Sequence, residues 1–249
     1  MWNWLFPPTC PCDPLAKEWV EDRLLWLAEE FPDSAFSGRP VILPTPRYFP
    51  DRYDGTYKTV RTMLDRICYY MDVEPASVEL VFFKNTDTYL VNDQGHAVGQ
   101  AAGTFEMDDD GFRIRVETSQ LLDPMTLVGT LAHELAHVRL LGEDRIWGEV
   151  YDHELVTDLT VVHFGLGIFL ANVPRGGWRS GYTQWPDSQL LKPEYMNDPM
   201  YGWALAHLAL FREEPDPAWA AHLKTGPRTN LRQGLRYLRA TGDTTYRPR

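Results

Sequence analysis

Residues 123–141 read DPMTLVGTLAHELAHVRLL, and this stretch decides the fold. Its apolar residues recur every three or four positions, which predicts a helix with one buried side. These residues are Leu127, Leu131, Leu135 and Val138. Because Asp followed by Pro is a helix start signal, we expect the helix to run from Asp123-Pro124 to about Leu141.

A His-Glu-x-x-His sequence, formed by His133, Glu134 and His137, lies inside this helix. Residues four apart lie on one helix face, so the two imidazoles can bind one ion at about 2.0–2.1 Å. Glu134 is turned by about 100° from His133, which places its carboxylate beside the ion. The motif predicts Zn²⁺ bound by His133 and His137, with Glu134 as general base. The alternative is a metal-free helix whose histidines belong to the core.

A catalytic zinc site also needs a third protein ligand and an open position for water. Glu154 follows His137 by 17 residues, enough for a loop and an antiparallel helix, and we favour it as the third ligand. Asp158, one turn further, would accept the outer N–H of a ligand histidine. His153 would face about 100° away from Glu154, so the two cannot bind the same ion. The rival third ligands are Glu149, Asp152, His153, Asp158 and His163.

The remaining periodicity predicts an α+β fold, in which a small antiparallel sheet packs on the active-site helix and the C-terminal half is mainly helical. Expected helices cover residues 13–31, 56–71 and 149–172, with two or three more in 200–240. Expected strands cover residues 78–83, 88–91, 97–105 and 112–116. We interpret 1–249 as one domain with a helical part (1–75), a sheet (76–122), zinc-binding helices (123–172) and a helical C-terminal part (173–249).

Hydrolysis of a carbonyl compound at such a site would also need a hydrogen-bond donor for the oxyanion that forms. The candidates are Tyr201 and His207, with Tyr195 and Arg212 as further choices. Tyr201 lies on an apolar helix face with Leu205 and Leu208, so a place in the core is the alternative for it.

Charge excludes several partners. The 24 Lys and Arg residues against 35 Asp and Glu give a net charge of −11, which repels nucleic acid and anionic lipid. No apolar stretch approaches the roughly 20 residues that span a bilayer, and we expect no membrane partner. The three cysteines, without framework spacing, favour the cytoplasm. The sequence gives no indication of oligomeric state.

His133-Glu134-Leu-Ala-His137 followed by Glu154-Leu-Val-Thr-Asp158 resembles the Glu-zincin metallopeptidases, the thermolysin-like zincins. The resemblance covers roughly residues 112–170. It implies a zincin-like fold, Zn²⁺ on His133, His137 and Glu154, support of a ligand histidine by Asp158, and a peptide or protein substrate. It also implies that residues 112–117 form a sheet edge for an extended peptide. The alternative function is a zincin-like regulatory or protein-interaction module with little or no hydrolysis.

Overall fold

The computed structural model describes residues 7–32, 36, 38–84, 102–108, 111–148, 150–173 and 182–247. The seven helices of these residues are α1 (Pro14–Glu30), α2 (Tyr57–Tyr70), α3 (Pro124–Leu140), α4 (His153–His163), α5 (Gly167–Asn172), α6 (Asp198–Phe211) and α7 (Thr225–Thr241). The strands are β1 (Val78–Phe83), β2 (Gly103–Asp108), β3 (Gly111–Glu117), β4 (Tyr182–Gln184) and β5 (Leu191–Pro193). The predicted α+β class is confirmed.

Aspartate caps begin both α1 and α3. The Asp13 carboxylate accepts hydrogen bonds from two backbone N–H groups in the first turn of α1, and Asp123 does the same for α3. A proline at the first helical position has no N–H that needs a partner. The Asp-Pro pairs therefore fix both helix starts, where the sequence predicts them.

The main sheet has the strand order β1-β3-β2 and is mixed. β2 and β3 pair antiparallel, with Asp108 opposite Gly111. β1 pairs with β3 in parallel, with Val78 opposite Phe112. The prediction of a purely antiparallel sheet is therefore wrong, because the chain between β1 and β2 is long enough for a crossover and β3 returns to the centre. The predicted strand at 88–91 lies outside the described residues.

One helix expected over 149–172 is in fact two, α4 and α5. Gly165 has φ +86°, a left-handed conformation that ends the first helix. A Cβ atom at this position would lie 2.3 Å from the carbonyl oxygen of Pro40. The Gly165 carbonyl accepts a hydrogen bond from the Ile42 N–H at 2.9 Å. The break therefore lets the extended segment near Ile42 pack directly against the helix end.

The core is centred on α3, which contacts α2, α4, α5, β2 and β3. Buried residues lie on every side of its second half, because sheet and helices cover opposite faces. α6 packs on α1, α4 and α7, and at Gly202 it approaches α7 so closely that a Cβ would lie 2.3 Å from Asn230. The β4–β5 hairpin was not predicted. No helix of the described ranges has the length and apolar character that crossing a bilayer requires.

Candidate metal centre

Two helices bring the three predicted ligands together. His133 and His137 point from α3, and Glu154 lies in the first turn of α4. One ligand atom from each lies within 4.8 Å of the other two. Oε2 of Glu154 lies 3.1 Å from Nε2 of His133 and 3.6 Å from Nε2 of His137. Two imidazole nitrogens and one carboxylate oxygen are a donor set that suits zinc and other divalent transition metals.

Asp158 lies against His133, as the sequence predicts. Its Oδ1 is 3.0 Å from Nδ1 of His133, and its Oδ2 accepts the backbone N–H of Met196 at 2.9 Å. A carboxylate oxygen only accepts, so Nδ1 of His133 carries the proton. Nε2 of His133 faces the Glu154 carboxylate and donates to it in the same way, so a metal ion bound there would take the place of this proton. Asp158 is fully buried, so its position is fixed by packing as well as by these hydrogen bonds.

Thr157 holds the second histidine, a contact that the sequence analysis missed. Its hydroxyl donates to the carbonyl of His153 at 2.8 Å, and its oxygen lies 3.4 Å from Nδ1 of His137. The hydroxyl proton is therefore used, and the oxygen is an acceptor for the His137 N–H. Consecutive residues of α4, Thr157 and Asp158, thus orient the two histidines of α3. The sequence feature that could have indicated this contact is a hydrogen-bonding side chain, Thr157, one turn after Glu154.

Glu134 lies against the backbone of β2. A Cβ atom at Gly103 would lie 2.8 Å from Oε1 of Glu134 and 2.8 Å from Cγ2 of Thr130, so only glycine leaves room for both side chains. Two residues further on the same strand face, the ring of Phe105 stacks on His137 with centroids 5.9 Å apart. The strand beside the cluster is therefore β2, and the prediction that residues 112–117 form the edge is wrong, because β3 is central.

The ionisable groups of the cluster have shifted pKa values, and the shifts differ in direction. Burial raises the pKa of Glu134 to about 7, opposed by nearby His133 and reinforced by Glu154. Burial also works to lower the pKa of His133, but hydrogen bonds to Asp158 and Glu154 outweigh it and raise that pKa to about 10. Burial and His133 lower the pKa of His137 to about 3, so its imidazole is neutral with a lone pair for a metal.

Glu154 is ionised. Burial disfavours its charge, yet hydrogen bonds from His133 and His153 hold its pKa well below the usual range. A carboxylate that stays charged in a buried place needs cations around it. A divalent ion between Glu154 and the two histidines would meet that need, so the residues fit a metal.

Tyr195 is the tyrosine whose ring lies beside the cluster, 5.8 Å from that of His133. Burial and the negative charge of Glu154 raise its pKa, so the phenol keeps its proton and can donate it in a hydrogen bond. The next residue, Met196, donates its backbone N–H to Asp158, which fixes this segment of chain. From the sequence Tyr195 is only a further choice of donor, because its distance along the chain gives no sign of this contact.

The other predicted oxyanion donors lie elsewhere in the fold. His207 is fully buried, with Nδ1 3.0 Å from the Trp203 carbonyl and Nε2 2.8 Å from the Thr244 hydroxyl. Both of its nitrogens thus have partners away from the metal centre, which argues against His207 as a donor. Arg212 donates to the carbonyl of Arg39 at 2.7 Å. The side chain of Tyr201 is buried in α6, and its role stays a prediction.

The rival third ligands differ from Glu154 in their contacts. Asp152 accepts hydrogen bonds from Trp19 Nε1 at 2.7 Å and Arg23 Nε at 2.8 Å, so it joins α1 to the start of α4. His163 stacks on Phe36 with centroids 6.0 Å apart. His153 contacts Glu154 itself. Glu149 lies outside the described residues.

Comparisons with known proteins give no assignment, since no protein-family model, no curated protein and no solved structure matches the chain.

Proposed function

We propose that this chain is a zinc-dependent hydrolase with a zincin-like fold, and specifically a metallopeptidase. One observation carries the proposal: His133, His137 and Glu154 converge from two helices while Asp158 holds the outer nitrogen of His133. The donor set and the outer hydrogen bond are both typical of catalytic zinc sites. His133, His137 and Glu154 hold the metal.

A bound zinc ion would supply Lewis acidity, which polarises a substrate carbonyl and makes water acidic enough to attack near neutral pH. Glu134 takes a proton from the attacking water and then donates it to the leaving amine. Because burial raises its pKa to about 7, the carboxyl group can do both near neutral pH. Tyr195 donates its phenol hydrogen to the developing oxyanion.

The substrate is a peptide or protein segment in extended conformation, bound along β2. Two features support this. Among the described residues β2 pairs only with β3, and the backbone of β2 at Gly103 lies directly beside Glu134. A peptide added to that edge would pass the carboxylate that moves the proton. The free thiols of Cys10, Cys12 and Cys68 support a reducing compartment, for which we propose the cytoplasm.

The test is Glu134→Gln in the full chain, measured for zinc content and for cleavage of a peptide library. Gln cannot accept the proton from water, so we expect turnover to fall by about 10²–10⁴-fold with zinc still bound. Glu21→Gln is the matched control, because Glu21 is a buried glutamate of α1, remote from the predicted ligands in its contacts. That variant should keep its turnover.

Two outcomes would contradict the proposal. Loss of zinc from Glu134→Gln would make this residue a ligand rather than the base. In the second outcome, the native chain binds zinc and cleaves no peptide, with the same result in the presence of a chelator. That outcome would favour the metal-binding regulatory or interaction module.

A further inference from the structure

The carboxylate of Glu154 has a different neighbour at each oxygen. Oε2 faces Nε2 of both ligand histidines, at 3.1 Å from His133 and 3.6 Å from His137. Oε1 lies 3.1 Å from Nε2 of His153. One oxygen is thus directed to the metal centre, and the other is directed to a third imidazole. Monodentate binding of an ion by Glu154 is compatible with this arrangement as it stands.

His153 is held beside the centre without being directed at it. A carboxylate oxygen only accepts, so Nε2 of His153 donates a hydrogen bond to Oε1, the Glu154 oxygen other than the one that faces the two ligand histidines. Its other nitrogen, Nδ1, lies 3.3 Å from the carbonyl oxygen of Val150. Both nitrogens therefore face oxygen atoms, and the ring is fixed between the α3–α4 loop and the first turn of α4. The ring centroids of His137 and His153 are 6.4 Å apart.

We propose that His153 is a positioning residue for the metal centre, which holds Oε1 of Glu154 by a hydrogen bond and so keeps Glu154 a one-oxygen ligand. The inference rests on the proposed metal centre. For Glu154 to bind through both oxygens, Oε1 would have to leave its hydrogen bond with His153. A third ligand restricted to one oxygen preserves an open position for water, which catalytic zinc sites require.

The experiment compares His153→Gln, His153→Leu and His153→Ala in the full chain. The Gln amide can still donate a hydrogen bond to Glu154, whereas Leu and Ala cannot. Outer hydrogen-bond partners of metal ligands typically contribute about 10–100-fold in affinity. We therefore expect the zinc Kd, measured by competition with a chelator, to rise by about 10–100-fold in His153→Leu and His153→Ala and by only a few-fold in His153→Gln.

Two further measurements keep the result interpretable. The visible spectrum of the Co²⁺-loaded protein reports coordination number, and we expect it to change in His153→Leu and His153→Ala but not in His153→Gln. His222→Leu controls for loss of any partly exposed imidazole, since His222 is the last residue of a separate short 3-10 helix (Ala218–His222), and it should leave the Kd unchanged. The side chain of His153 is 33% exposed, so the metal-free variants should melt as the native chain does.

The outcomes separate this inference from the proposed function. A native chain that binds neither Zn²⁺ nor Co²⁺ would overturn the metal centre as a whole. A native Kd and spectrum in His153→Leu and His153→Ala would overturn only the role of His153. Equal losses in the Gln and Leu variants would make His153 a ligand itself, which also overturns the inference.

Discussion

Among the described residues, two clusters place histidine and glutamate side chains between helices, and only in the first do three ligand atoms lie close enough together to hold a metal ion. In the first cluster, His133, His137 and Glu154 direct nitrogen and oxygen atoms at one another. In the second, His207 of α6 lies near Glu21 of α1, with Nε2 of the imidazole 3.9 Å from the carboxylate. The residue types are alike, although Glu154 is partly exposed and Glu21 is fully buried, so the main difference lies in where the nitrogen and oxygen atoms point.

In the second cluster, other residues of the protein supply the partners of Glu21 and His207. Oε2 of Glu21 accepts both the N–H and the hydroxyl of Thr245 at 2.8 Å, and Lys17 Nζ lies 3.1 Å from its other oxygen. His207 is held by Trp203 and Thr244. These contacts attach the C-terminal residues to α1 and α6. Buried polar side chains whose partners come from the protein stabilise the fold, whereas nitrogens that converge on one carboxylate leave a place for a cation.

Removing one histidine from each cluster gives the largest expected contrast. His137→Ala should weaken zinc binding on the order of 10²-fold, because it deletes one of three protein ligands. His207→Ala should leave the zinc Kd unchanged and lower the free energy of unfolding of the metal-free chain by about 2–5 kcal/mol, as large-to-small core substitutions do. Chelator competition and urea unfolding measure the two effects. Zinc loss in both variants alike would remove the distinction between the clusters.

A smaller effect is expected where β2 meets the first cluster. Gly103→Ala would place a methyl group 2.8 Å from Oε1 of Glu134, so the carboxylate must move. Displacement of a reacting group by about 1 Å can reduce turnover about 10²-fold. We expect kcat to fall by about 10–10²-fold while the zinc Kd stays within a few-fold of native.

The matched control is Gly148→Ala, because a Cβ at Gly148 meets no atom within 4 Å. Thr130→Ser removes the methyl group of Thr130 that a Cβ at Gly103 would contact. The double variant Gly103→Ala with Thr130→Ser therefore keeps the close contact with Glu134 and relieves the one with Thr130. Full activity in that double variant would show that the methyl group disturbs only the packing.

The sequence predicted the features of this centre that depend on local geometry. The spacing of four residues placed His133 and His137 on one face of α3, and the Asp123-Pro124 start fixed where that helix begins. Glu154 and Asp158 were found because they too are four residues apart, on one face of α4. Their contacts with His133 follow from that spacing once the two helices pack.

The missed features depend on contacts between distant segments. Tyr195 reaches His133 through a stretch fixed by the Met196 hydrogen bond to Asp158, and Gly103 approaches Glu134 because β2 packs on α3. The strand order could not be predicted from the sequence either, because periodicity indicates which residues of β1 share a face but not that β1 pairs in parallel with β3. The end of α4 near Gly165 also depends on a distant segment, because a Cβ at Gly165 would lie against the Pro40 carbonyl.

The smallest expected effect is the contribution of His207, in the second cluster, to the pH dependence of stability. Burial lowers the pKa of His207 to about 4, below the unfolded value of about 6.5. Between these values the unfolded chain binds more protons than the folded chain, so stability is lost as pH falls from about 6.5 towards 4. One such group contributes a slope of at most about 1.4 kcal/mol per pH unit. Urea unfolding of the chelated native chain and of His207→Gln should differ by that slope, because His133 and His137 titrate in both and cancel. Parallel plots of unfolding free energy against pH for the two proteins would mean that burial does not hold His207 neutral. The second cluster would then need another source of stability.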